Sequence, residues 1–261
     1  MTSAETLVTY ELRGEVALIG LNRAEKRNAI SDRVVEAVND AIERAQKEAK
    51  AAVIFGHGPN FCAGLDLSEH SEKTLIEAVK GSRRWHEVFD KIERGSIPFA
   101  SAISGAAVGG GLELAASTHI RVADPTAFFA LPEGTRGIYV GGGGSVRIAR
   151  LIGPARMGDM MLTGRVLKAA EMESWGGVSY LCDEGQALER AIAVAERMAE
   201  NAEFTNYAII NSLPRIADMS SDNGLYTESM VATLATMTED AKDRLRAFKE
   251  KRAPKVKDPN A

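Results

Sequence analysis

Short apolar runs recur up to about residue 190, each separated from the next by a stretch with helical spacing. Ala51-Ala52-Val53-Ile54-Phe55 and Phe99-Ala100-Ser101-Ala102-Ile103 have the length and continuity of strands buried on both faces. Between them, Val34, Val35, Val38, Ile42 and Ala45 fall on one face of a helix that runs to about residue 49, with Ser31 placed to cap it. Strand, helix, strand is a crossover unit, and a chain that repeats it is committed to a mainly parallel sheet covered by helices.

The same reading extends along the chain. Residues 7–12 and 16–19 form a hairpin around Arg13-Gly14. Helices follow over about 75–94, 109–117 and 145–152, the last two opened by glycine clusters, with strands at 120–123 and 128–130. Beyond Pro154 the pattern is helical, over about 156–162, 169–175, 184–201, 204–219 and 238–251. The spacing predicts an α/β core over residues 1–195 and a helical region over 196–261.

Several function classes are excluded at this level. The formal net charge is −4 with both signs interspersed, which gives no positive field to hold a nucleic acid or an acidic membrane. A basic tail at Lys249, Lys251, Arg252, Lys255 and Lys257 reads as a solvated terminus. No leader pattern and no long apolar window is present, and two cysteines are too few for a disulfide scaffold, so a cytoplasmic protein with free thiols is expected. Cys62, without an adjacent histidine, reads as a small buried hydrophobe. Neither glycine cluster completes G-x-G-x-x-G, because Leu114 and Val146 stand at the last position; no phosphate-binding loop and no G-x-S-x-G elbow occurs. Four scattered histidines, with His86-Glu87-Val88-Phe89-Asp90 ending in aspartate, argue against a metal site.

What remains is glycine: 24 in 261 residues, above the usual ~7%, concentrated at Gly109 to Gly111 and Gly141 to Gly144. A glycine run entering a helix lets an acceptor oxygen approach N–H groups that have no intrahelical partner. Gly110 is therefore a candidate donor to a developing oxyanion, with Leu65, after the strand at 51–55, as a second. Glu113 lies nearly one turn along the same helix, and Glu133 follows a separate strand with the second glycine cluster as the expected wall behind it. Two carboxylates beside an oxyanion site are equipment for proton transfer next to a carbonyl, if their environments split their pKa values. Alone, each has a plainer reading, a solvated glutamate in a first helical turn and a surface loop residue; their co-occurrence favours the site.

Taken in order, Asn22-Arg23-Ala24-Glu25-Lys26-Arg27-Asn28-Ala29-Ile30, Phe61-Cys62-Ala63-Gly64-Leu65-Asp66, Gly109-Gly110-Gly111-Leu112-Glu113-Leu114-Ala115, Pro132-Glu133, Leu162-Thr163-Gly164 and Ala247-Phe248-Lys249-Glu250-Lys251-Arg252 resemble the crotonase (enoyl-CoA hydratase/isomerase) superfamily over nearly the whole chain. The resemblance implies an α/β, right-handed spiral of β-β-α turns with a C-terminal helical region that trimerises, giving a homotrimer or a hexamer built as a dimer of trimers. It implies an acyl-CoA substrate, with CoA part of the substrate and no separate cofactor or metal. The thioester oxygen is expected on the N–H groups of Leu65 and Gly110. CoA is expected along Ala63, Asp66, Leu67 and Gly141, with Lys26 and Lys251 toward its phosphates.

Within the family, glutamates at both the Glu113 and Glu133 positions imply a hydratase adding water across C2=C3 of a 2-enoyl-CoA, Glu113 acting chiefly as base and Glu133 as the acid toward C2. Double-bond isomerisation, or hydration followed by C–C or thioester cleavage, is the alternative; a non-catalytic RNA- or protein-binding use of the fold is a remote one. Departures from the common pattern are Val140 in place of proline, no proline after Asn22-Arg23, and the four-glycine run. The four-glycine run combined with Gly64-Leu65-Asp66-Leu67-Ser68-Glu69-His70 suggests a resemblance to a specialised subgroup such as methylthioacryloyl-CoA hydratases, with the glycine run as the place to look for the substrate difference. Pocket walls are expected from the helix carrying Trp85 and Phe89.

Overall fold

A computed structural model describes residues 6–68 and 74–253. Glu69, His70, Lys255 and Lys257 lie outside the described residues. The chain divides into two compact units, Met1–Ala199 and Glu200–Ala261.

The first unit opens with the hairpin β1 (Val8–Arg13) and β2 (Val16–Leu21) and continues through α1 (Asp32–Glu48), β3 (Ala51–Gly56), α2 (Leu75–Glu93), β4 (Phe99–Ile103), β5 (Ala106–Val108), α3 (Gly110–Ser117), β6 (Ile120–Ala123) and β7 (Phe128–Ala130). It closes with α4 (Gly144–Ile152), α5 (Pro154–Thr163), β8 (Val166–Lys168), α6 (Ala169–Ser174), β9 (Tyr180–Leu181) and α7 (Ala187–Ala199). Six strands form one sheet in the order β1-β2-β3-β4-β6-β9, parallel except for the hairpin; β5, β7 and β8 form a second sheet.

The geometry is a ladder of turns. After each strand of the large sheet the chain lays a second extended piece against that of the preceding turn: Ile30 bridges Leu65, Cys62 bridges Ala107, and β5 pairs in parallel with β7. A helix then returns the chain to the large sheet, giving a spiral of β-β-α turns. Both faces of that sheet are covered. Ile19, Ile54, Phe61, Phe89, Phe99 and Phe129 belong to the main core, while Val16, Val53, Ala100 and Val122 pack with Ala191, Ile192 and Ala195 of α7. Burial on both faces explains why these strands read as unbroken apolar runs rather than alternations.

Ser31 takes the N-cap position of α1 with extended backbone, but its hydroxyl makes no cap bond and is buried without a partner. The helix start is set instead by the main chain, since Ile30 is tied by its N–H to the Gly64 carbonyl and Val35 donates to the Ser31 carbonyl. α2 is capped by its side chains: Thr74 and Glu77 form a reciprocal box.

The second unit holds α8 (Glu203–Ala217), α9 (Ser221–Met237) and α10 (Glu239–Lys249). The sequence reading leaves α9 out. In the structure Gly224 lies in the first turns of α9, where a Cβ would make only ordinary contact with Ile216, 3.4 Å from its carbonyl oxygen.

Candidate active site

Four turns of the spiral converge on one cavity of about 310 Å³. Leu65 and Leu67 come from the segment after β3, Trp85 from α2, Gly110 and Glu113 from α3, Glu133 from the loop after β7, and Gly141 and Gly142 from the approach to α4. A larger cavity of about 500 Å³ opens beyond the carboxyl ends of β3 and β4. Of the two carboxylates that line it, Asp124 and Glu184, the first is already occupied by the Ser104 hydroxyl at 2.6 Å and by the N–H groups of Thr126 and Gly185 at 2.9 and 3.2 Å. The reactive groups face the smaller space.

Backbone amides come first. Ala63 donates to the Arg27 carbonyl and Asp66 to the Ile30 carbonyl, both at 2.9 Å, and these bonds pin the segment on either side of Leu65. The N–H of Leu65 donates to no group among the described residues, and neither does that of Gly110 at the first position of α3. The two are neighbours, since a Cβ on Gly110 would lie 3.7 Å from the Leu65 nitrogen. Two undirected main-chain donors side by side, one of them at a helix N-terminus, have the geometry to receive a carbonyl oxygen that gains negative charge.

Glu113 and Glu133 are only 3% and 7% exposed, so neither is the solvated surface glutamate of the plainer reading. Oε1 of Glu113 accepts from the N–H groups of Gly142 and Gly144, each at 2.8 Å. Burial pushes its carboxyl up from the ordinary glutamate value, while these N–H groups and the Arg147 charge pull the other way. Oε2 of Glu133 is buried with no partner. Its carboxyl is raised by burial and then by the charge of Glu113. The two environments are therefore unequal although both carboxyls are raised: two N–H donors favour the ionised form of Glu113, while one oxygen of Glu133 has no donor to do so.

The second glycine cluster does not stand behind Glu133 as the sequence reading expects. It carries the donors to Glu113, because Glu113 projects from α3 toward α4. Glu133 instead lies over the first cluster. A Cβ on Gly109 would meet its Oε1 at 2.5 Å, and Gly109 has φ +53°, so glycine is required there twice over.

Asp66 is buried beneath the cavity rim. It accepts from Arg23 Nη2 at 3.1 Å, Lys26 Nζ at 3.0 Å and the Ser68 hydroxyl at 2.6 Å. Burial alone would raise its carboxyl, but Ser68, Lys26 and Arg23 outweigh it and hold the group well below the usual carboxylate range. Lys26 thus ties down the segment that carries Leu65. Ala63 is half-buried in the same segment, and Lys251 is exposed just after α10. Cys62 is fully buried and its thiol is pushed up to about 12, which makes it inert as a nucleophile.

Sequence reasoning passes over Arg147, which binds the carbonyl of Gly142 at 3.1 Å. The available signal is a cation near the N-terminus of α4, where the helix dipole favours anions.

The profile of the enoyl-CoA hydratase/isomerase family matches residues 11–259. Enoyl-CoA hydratase EchA19 of Mycobacterium tuberculosis is 30% identical over 249 residues, covering 94% of each chain. The 2,3-dehydroadipyl-CoA hydratase of Escherichia coli K12 is 31% identical, over 97% of this chain and 99% of its own. A crystal structure from Rhodopseudomonas palustris CGA009, provisionally assigned as an enoyl-CoA hydratase, superposes with a TM-score of 0.93 at 47% identity, covering 97% of this chain and 98% of that one. Spiral fold, cavity and sequence agree, and the chain belongs to the enoyl-CoA hydratase/isomerase family.

Proposed function

We propose that the protein is an enoyl-CoA hydratase that adds water across C2=C3 of a 2-enoyl-CoA to give a 3-hydroxyacyl-CoA. The observation that carries this is the pairing of two buried, unequal carboxylates with two adjacent free N–H groups on one cavity. The hydratase relatives support the reaction.

The thioester oxygen accepts from Leu65 and Gly110, which draws electron density from C3 and stabilises the enolate that forms on addition. Both carboxylates hold the attacking water. Glu113, kept ionised by Gly142 and Gly144, takes one proton as the water oxygen bonds to C3. Glu133 delivers its proton to C2 from the same side, and the proton gained by Glu113 passes back to restore the starting state. All of this runs on the chain's own groups and the CoA ester, with no cofactor. The acyl chain runs beside α2, where Ala78, Gly81, Ser82 and Trp85 line the cavity. CoA itself follows 63–67 toward the rim, with Lys26 as a candidate partner for its phosphates.

A panel of short, long, aromatic and thioether 2-enoyl-CoAs, followed both by loss of enoyl absorbance and by thiol release, tests the reading. Hydration without CoA release is expected; isomerisation or thioester cleavage as the main outcome sinks it.

Assembly as a trimer or hexamer is supported by the second unit, where Tyr226, Met230, Leu234 and Met237 share one face of α9 and are all exposed. Met230→Asp/Leu234→Asp is expected to convert a trimer or larger species into a folded monomer in sedimentation; unchanged mass refutes α9 as the contact. The free thiols Cys62 and Cys182 support a reducing compartment such as the cytoplasm.

A further inference from the structure

The four-glycine run is gripped from its far side by a buried guanidinium. Arg147, on the first turns of α4, has a side chain only 6% exposed. It donates through Nη2 to Asp90 at 2.6 Å and through Nε to Glu93 at 2.7 Å, both on α2, and through Nη1 to the carbonyl of Gly142 at 3.1 Å. A Cβ on Gly143 would fall 2.2 Å from Nη1, so the guanidinium rests directly on that Cα, where φ is +104°. The N–H groups flanking the same position, those of Gly142 and Gly144, are the donors to Glu113. One short stretch of main chain is therefore held by its carbonyl from one side and holds a carboxylate on the other.

We propose that Arg147 is a positioning residue that clamps the Gly142 to Gly144 turn so that both N–H groups converge on Glu113 and keep it ionised as the base. The inference rests on the base role given to Glu113 above. Only arginine suits the place. A planar fork can reach a carbonyl and two carboxylates at once, whereas an ammonium cannot span them. Asp90 and Glu93 compensate the buried cation, so its main lever on Glu113 is geometry, with its charge as a smaller aid. The charged and titratable groups around Glu113 are Glu133 across the cavity, with Arg136 beside it; Arg147 on α4; and His86, Asp90 and Glu93 on α2. Of these, Arg147 acts on Glu113, while Arg136 and Glu113 itself act on Glu133. Loosening the turn removes donors from Glu113, and removing the cation acts in the same direction, so the carboxyl moves upward.

Arg147→Met and Arg147→Lys are compared with wild type, each alone and with Glu113→Gln, using crotonyl-CoA across the pH range. Arg147→Met is expected to lower kcat by about a hundredfold with KM little changed, as for a sub-ångström to ångström displacement of a catalytic group. The acid limb of its kcat profile moves to higher pH. Arg147→Lys keeps the charge but not the fork, so kcat falls and the limb moves in the same direction by somewhat less. With Glu113→Gln already present, neither substitution costs more. Equal losses in that background, full kcat in Arg147→Lys, or a loss confined to KM overturns the proposal. If Arg147→Met does not fold, Arg147→Lys carries the same comparison. Isotope-edited infrared titration of the glutamate carboxyls, with Glu113→Gln identifying the band, reads the Glu113 shift without turnover. A shift there in a protein that does not hydrate crotonyl-CoA leaves the clamp standing and removes only the hydratase reading; no shift in Arg147→Met removes the clamp.

Discussion

Glutamine in place of Glu113 or Glu133 is expected to lower turnover of crotonyl-CoA by about 10²–10⁴-fold while leaving KM nearly unchanged. The size and shape of the side chain are kept, and the thioester oxygen still has the N–H groups of Leu65 and Gly110. What is lost is proton transfer. In Glu113→Gln the amide oxygen can still accept from Gly142 and Gly144, so the cavity keeps its form, but no group removes a proton from water. In Glu133→Gln the orphaned Oε2 is replaced by an amide that cannot protonate C2. Steady-state kinetics on both variants decide the matter; near-normal kcat in either one refutes its assigned role.

The same variants carry a stability signature of opposite sign. Both carboxyls are raised by burial in the folded chain. Between the unfolded glutamate value, ~4.3, and the raised folded value, the native state binds more protons than the unfolded one, so stability falls as pH rises through that window. The full cost is present above the folded value. Glutamine removes it, and each variant is expected to melt above wild type near neutral pH, with the gain vanishing in acid. Calorimetry at several pH values separates this gain from the catalytic loss, the pattern of a site that trades stability for function.

Removal of the Gly110 N–H is the second large effect. Proline is compatible with the first position of a helix, so Gly110→Pro deletes a donor where the backbone accepts the ring. The substitution also adds a Cβ, which would stand 2.8 Å from Cζ3 and 3.2 Å from Cη2 of Trp85. Those atoms belong to the six-membered ring of the indole, and phenylalanine gives the room. Gly110→Pro and Gly110→Ala, both in a Trp85→Phe background, therefore differ mainly in the N–H. The proline variant is expected to turn over about 10²–10³-fold more slowly than the alanine one, as when a donor is taken from an oxyanion site. Equal rates would falsify the oxyanion assignment.

Much of the first unit is legible because burial leaves a mark on sequence. β3 and β4 read as apolar runs since both their faces are covered, and α1 shows its stripe because only one face is. The short strands β5, β8 and β9 carry no such mark, being two or three residues paired by the spiral rather than by their own pattern. At the site, Glu113 and Gly110 are readable together because one helix turn joins them. Which glutamate the second glycine cluster serves is not, since that depends on the approach of α4 to α3 across distant sequence. Arg147 escapes for the same reason: its acceptors lie on α2 and in a main-chain carbonyl, and neither leaves a local pattern.

The ladder of parallel turns has a kinetic consequence. Leu65, Trp85, Gly110, Glu133 and Gly142 meet only when successive turns have stacked, so no sub-fragment of the first unit contains a working site. Non-local parallel pairing is slow to form because loop closure precedes its reward. In refolding from denaturant, helical signal should therefore return before turnover does, and enzyme activity becomes a late, all-or-nothing reporter that the last turn has closed.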